Sequence, residues 1–214
     1  MTADIKIISL DLDGVLFDGR SATYEIAQQV GLGDQFISLF RRISQENLSL
    51  RDSVIEGAKI WKGIFVDESY ERLVETLPLM VGAEETVLAL QKRGYEVGCI
   101  SSGVSQFFMK PLTKRLKLDF AYSNVLGSEN GTHNGLVELI MEGPEKARTI
   151  LKHVSKNGLT QKNTASVGNG INDIELFKVS AFSIAFNPVD RAVSDFASVT
   201  VHSKDLRTIL HYFE

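Results

Sequence analysis

Five short runs rich in Ile and Val punctuate this chain: residues 5–10 (IKIISL), 97–100 (VGCI), 165–167 (ASV), 182–186 (FSIAF) and 199–201 (VTV). Brief, continuous apolar runs suit strands buried on both faces, and such strands belong to a parallel sheet covered by helices. The stretches between them carry apolar residues at helical spacing, so the expected fold class is α/β, a Rossmann-like parallel sheet with helices on both faces.

The longest of these stretches, residues 19–81, has no comparable strand. Its Ile26, Val30, Leu39, Ile43, Val54, Ala58 and Trp61 fall mostly at helical spacings with polar residues between them. A small helical unit inserted after the first strand is expected. Residues 83–92 read as a helix ended by Gly94. Residues 124–142 have a different texture: turn residues Asn130, Gly131, Asn134 and Gly135 divide two extended pieces, as in a β-hairpin beside the sheet.

A length of 214 residues accommodates one full core with a smaller addition. The formal charge of -4, with its basic residues scattered, offers no surface for a nucleic-acid backbone. The single cysteine, Cys99, lies inside an apolar run and reads as a small buried residue. No apolar run reaches the roughly 20 residues of a membrane helix, and the N-terminus does not read as a signal segment. A cytoplasmic protein without nucleic-acid or membrane partners, monomeric or homodimeric, is expected.

Three polar clusters each follow one of the apolar runs. Asp11 and Asp13, in DLDGVLFD, leave the first strand two residues apart, a spacing that presents two carboxyls around one ligand. Ser101-Ser102-Gly103 follows the second strand and opens a helical segment, where hydroxyls and free N–H groups can take an anion. Asn169 and Asp173, in GNGIND, follow the strand that begins at Ala165 and offer hard oxygen ligands suited to Mg²⁺. Lys146, early in a helical segment, could reach an anionic centre. Taken singly, each cluster also fits a turn, a helix cap or a surface lysine. A parallel sheet, however, brings the carboxyl ends of its strands to one edge, so all three strand-end clusters would meet there.

In these motifs the chain resembles the haloacid dehalogenase superfamily, and within it the phosphoserine phosphatase-like branch. The resemblance rests on DLDGVLFD, on GAEETVLALQKRGYEVGCISSG, on Lys146 and on VGNGINDIELF. It implies a core of residues 1–18 and 82–214 and a helical cap of residues 19–81. It implies that Asp11 attacks phosphorus, that Asp13 exchanges protons with the leaving group and water, and that Ser101, Ser102, Gly103 and Lys146 hold the transferred group. Mg²⁺ would be bound by Asp11, the carbonyl of Asp13, Asn169 and Asp173. The implied reaction is hydrolysis of a small phosphorylated metabolite. Phosphotransfer to another hydroxyl, or binding of a phosphorylated ligand without turnover, are the alternatives.

The chain departs from the phosphoserine-specific pattern in three places. Arg20 stands where a glutamate meets the substrate's amino group. The cap stretch SVIEGAKIWK lacks the arginine that meets its carboxylate. Asn169 stands where the branch carries a metal-binding aspartate. Arg20, as a substrate contact, would favour an anionic group.

Overall fold

The computed structural model describes residues 4–214. Strand β1 (Ile7–Leu10) is wholly buried and occupies the centre of a seven-stranded sheet of order β4-β3-β2-β1-β5-β6-β7. After it come helices α1 (Ala22–Gln29), α2 (Gly33–Glu46), α3 (Leu50–Trp61) and α4 (Ser69–Glu75), and then α5 (Ala83–Lys92) and β2 (Glu96–Ser105). The chain continues through α6 (Gln106–Leu116), β3 (Phe120–Glu129), β4 (Thr132–Leu139), α7 (Gly143–Lys156) and β5 (Thr164–Gly168). It ends with α8 (Ile174–Lys178), β6 (Phe182–Phe186), α9 (Arg191–Phe196), β7 (Val199–Val201) and a 3₁₀ segment, Leu206–Phe213.

All five apolar runs form strands, and every neighbouring pair is parallel except β3 with β4. The α/β class read from the sequence is thus the class observed. The hairpin differs from the expectation in one respect. It does not lie beside the sheet, because β3 starts at Phe120 and its first residues pair in parallel with β2 before its later ones turn into the antiparallel arm. Phe120 is buried while Ser128 and Glu129 are exposed, so no uniform apolar run marks this strand.

The helical stretch leaves and rejoins the sheet through a narrow neck. Asp18 N donates to Pro78 O at 3.0 Å and Met80 N to Leu16 O at 2.9 Å, so the two ends of the insertion pair with each other. Ser21 caps α1 and Ser49 caps α3, each hydroxyl accepting a backbone N–H three residues on. The apolar faces of these helices do not close a separate core. Phe36, Leu39 and Trp61 belong to the same buried cluster as Leu10, Val104 and Phe108. A second seam joins the insertion to the hairpin, where Gly63 N donates to His133 O and His133 N to Ile64 O, both at 2.8 Å.

Candidate active site

The carboxyl ends of β1, β2 and β5 bring together the three strand-end clusters. A cleft of about 1220 Å³ opens there, lined by Asp11, Asp13, Arg20, Ser102, Gly103 and Asn169, among others. Two glycines allow this convergence. Gly14, at φ 76°, lies so near Asn169 that a Cβ would sit 2.0 Å from its Nδ2, and a Cβ at Gly103 would sit 1.9 Å from Asp13 Oδ2. Side chains at either position would push the first cluster away from the other two.

Asp11 is 5% exposed, and its Oδ1 accepts from Lys146 Nζ at 2.8 Å. The same ammonium donates to Asp173 Oδ1 at 2.7 Å, and both Lys146 and Asp173 are fully buried. Lys146 reaches this position from the first turn of α7, where Pro144 sets the start of the helix and Lys146 N donates to Glu142 O. Burial opposes the Lys146 charge, but Asp11 and Asp173 outweigh it and hold the amine above its usual value.

The two leading aspartates are both pushed upward. Burial, then the charge of Asp173, raises Asp11 to about 6 against the pull of Lys146. Burial, then the charge of Asp11, raises Asp13 to about 7. Asp13 meets no cation among the described residues; its Oδ1 accepts from Ala22 N at 2.7 Å, at the start of α1. The pair is therefore unequal. Asp11 has Lys146 to hold its charge and Asp13 has only the Ala22 amide, which makes Asp13 the readier proton carrier.

The serine cluster lies within β2 rather than opening a helix, since α6 starts only at Gln106, and its members divide. Ser102 and Gly103 line the cleft, whereas Ser101 is wholly buried behind them, its Oγ accepting from Gly103 N at 3.0 Å. Ser102 Oγ donates to Met141 O and accepts from Asn172 Nδ2 at 3.0 Å. Asn172 is a cleft residue to which the sequence reading gave no role. Its position one residue before Asp173 in GNGIND is the signal that could have found it.

Asp173, expected with the metal, is turned inward instead. Besides Lys146 on Oδ1, its Oδ2 accepts from Asn169 N and Gly170 N, each at 3.0 Å. It closes the GNGIND turn and braces Lys146.

The donors that remain suit a hard cation. Lys146 takes only one oxygen of Asp11, the Asp13 carbonyl accepts no hydrogen bond among the described residues, and the Asn169 amide packs on Gly14. A carboxylate, a main-chain carbonyl and an amide form an all-oxygen set of the kind Mg²⁺ accepts. Among the described residues no three His, Cys, Asp or Glu side chains gather into a metal cluster. The oxygen set is compatible with that result, because only one of its three members is an acidic side chain. Arg20 is exposed at the rim and makes no ion pair among the described residues.

A parallel sheet with a carboxylate-and-lysine centre at its strand ends, and helices inserted after the first strand, defines an α/β protein built for acid–base and nucleophilic work on an anionic ligand. The sequence signature of haloacid dehalogenase-like hydrolases matches residues 5–180, and the chain belongs to that family, in its phosphoserine phosphatase-like branch. It is 31% identical over 202 residues to a phosphoserine phosphatase from Archaeoglobus fulgidus, covering 94% of this chain and 58% of that relative's length. It is 28% identical over 212 residues to one from Methanocaldococcus jannaschii, covering 98% of each. A solved phospho-aspartyl intermediate analogue of phosphoserine phosphatase superposes with a TM-score of 0.82 at 27% identity, covering 99% of this chain and 100% of that one. Among the described residues, no helix is long and apolar enough to cross a membrane.

Proposed function

We propose that the protein is a phosphatase that hydrolyses a phosphate monoester of a small molecule, with Asp11 as the nucleophile. The observation that carries this reading is the unequal aspartate pair. Asp11 is anchored to a buried ammonium, whereas Asp13, two residues on, meets no cation among the described residues and accepts only from Ala22 N, while burial raises its proton affinity.

An Asp11 oxygen attacks phosphorus, and the bond from phosphorus to the ester oxygen breaks. Asp13 gives its proton to the departing oxygen. The Asp13 carboxylate then takes a proton from water, which attacks the phosphorus of the aspartyl phosphate and releases inorganic phosphate with Asp11 restored. Lys146, beside Asp11, offsets the negative charge that builds on the transferred group, while Ser101, which accepts from Gly103 N, and Asn172, which donates to Ser102 Oγ, hold the Ser102–Gly103 wall in place.

Asp11, the Asp13 carbonyl and Asn169 are the residues that would hold Mg²⁺, with Asp173 acting through Lys146. When bound, the cation would neutralise phosphoryl oxygens so that one anion can approach another. Residues 19–81 serve as the cap over a core of residues 1–18 and 82–214, and closure over the cleft excludes water. The cytoplasm, where small phosphorylated metabolites are met, is the proposed place of action.

The test is release of inorganic phosphate from an aryl phosphate with and without Mg²⁺, in the wild type and in Asp11→Asn. The amide keeps the shape but cannot attack phosphorus, so turnover should vanish while the melting curve stays cooperative. Near-normal turnover in that variant would remove Asp11 from the role.

A further inference from the structure

A second cavity, of about 390 Å³, lies beneath α2 and α3 and shares Asp13, Arg20, Ser102 and Gly103 with the catalytic cleft. Its position follows from the reaction read above. Asp13 protonates the departing oxygen, so the organic group of the ester lies on the Asp13 side of phosphorus, and that side leads into this cavity.

Its walls are mostly apolar, with the uncharged side chains of Ser21, Thr23, Ser53, Ser105 and Asn124 set among them. Phe36, Leu39, Phe40, Ile43, Trp61 and Phe108 contribute, and the only charged lining residues are Asp13 and Arg20, both in the part shared with the cleft. An ammonium or carboxylate carried past that shared end would lose its water and find no counter-charge.

Gly57, in the interior of α3, also lines this space. Neither its backbone nor close packing requires glycine. A Cβ there would meet Phe36 Cε1 at 3.6 Å and Leu39 Cδ2 at 3.8 Å, which is ordinary contact. Glycine is unfavourable inside a helix compared with alanine. What its missing side chain supplies here is room.

We propose that this cavity receives the organic part of the substrate, and that the substrate is the phosphate monoester of an uncharged, apolar alcohol, with an aromatic or branched hydrocarbon body, rather than of an amino acid. The inference rests on the phosphatase reading for its chemistry and on the cavity for its selectivity, and the two are separable by experiment.

Three alkyl esters with comparable leaving oxygens serve as probes: 2-phenylethyl phosphate, ethyl phosphate and O-phosphoserine, each assayed with Mg²⁺. The wild type should show kcat/KM at least tenfold higher for 2-phenylethyl phosphate than for either other ester. Gly57→Leu, which fills the cavity, should lower the ratio of 2-phenylethyl to ethyl phosphate turnover by at least tenfold. Trp61 is the sole tryptophan of the chain and lines the cavity, so its fluorescence reports occupancy independently of turnover. It should change saturably with 2-phenylethyl phosphate and not with O-phosphoserine at equal concentration.

A wild type that prefers O-phosphoserine, or that turns over ethyl and 2-phenylethyl phosphate equally, overturns the proposal while leaving the phosphatase reading intact. A folded Gly57→Leu protein with an unchanged ratio does the same. Saturable Trp61 quenching without turnover of any ester supports the apolar pocket and overturns the phosphatase reading instead.

Discussion

Lys146 Nζ lies 2.7 Å from Asp173 Oδ1, with both side chains sealed from solvent. This buried ammonium is held by two carboxylates at once, because the second contact, to Asp11, is 2.8 Å. Removing one member of such a group leaves the others uncompensated, which costs more than the intact group contributes. Lys146→Met should therefore lower unfolding free energy in urea by about 3 kcal/mol and abolish phosphate release. A variant with wild-type stability would show that the two carboxylates do not need the cation.

Asp13→Asn should slow hydrolysis of alkyl phosphates by about 10²- to 10⁴-fold, the usual contribution of a positioned proton carrier. The first half-reaction should recover with a leaving group such as p-nitrophenolate, which departs without a proton, so phosphate-labelled protein should accumulate in a burst. Equal losses for good and poor leaving groups would take the acid role away from Asp13.

Asn169→Asp restores a negative charge beside the Asp11 and Asp13 oxygens, and divalent cations prefer hard anionic ligands. The Mg²⁺ concentration for half-maximal turnover should fall at fixed pH and ionic strength. Identical half-saturation in both proteins would place Asn169 outside the metal's coordination.

The seam between the inserted helices and the hairpin turns on His133, which is 2% exposed and whose Nε2 meets Tyr70 Oη at 2.7 Å. Its Nδ1 has no partner among the described residues, and aromatic rings of Trp61, Tyr70 and Phe107 surround it. Burial lowers its pKa from 6.5 to about 4, so the folded state binds fewer protons than the unfolded chain between those values. The stability this neutral ring contributes is complete above pH 6.5 and declines as the pH falls toward 4. His133→Gln should flatten that part of the stability profile in urea titrations between pH 7 and 4, while an unaltered slope would assign the decline to other groups.

Much of the site was legible because its parts are local to strand ends. An Ile- and Val-rich run announces a buried strand, and the residues after it are carried to the sheet's carboxyl edge whatever else the chain does. Asp11, Asp13, Ser102, Gly103 and Asn169 were found this way, and all line one cleft. The helical insertion was legible for a related reason, since helical periodicity is written within a few turns.

Other features depend on partners distant in sequence, and there local pattern is silent. GPEKAR reads as a solvated helix start, yet Lys146 is wholly buried because Asp11, 135 residues away, and Asp173, 27 residues away, provide its counter-charges. Asp173 reads as a metal ligand, but its oxygens are taken by that lysine and by two amides of its own turn. Ser101 and Ser102 are adjacent and chemically alike, and only the direction of β2 puts one in the cleft and the other behind it.

The sequence alone therefore determined five of the sheet's strands, the helical insertion after the first of them and the edge where the polar clusters gather, because strand burial and helical periodicity are short-range properties of the chain. The tertiary structure decided which carboxylate oxygens Lys146 takes, which serine lines the cleft and which side chains line the second cavity beside Gly57 and Trp61. Those outcomes depend on distances between residues far apart in the chain, and such distances exist only once the sheet and the inserted helices have packed together.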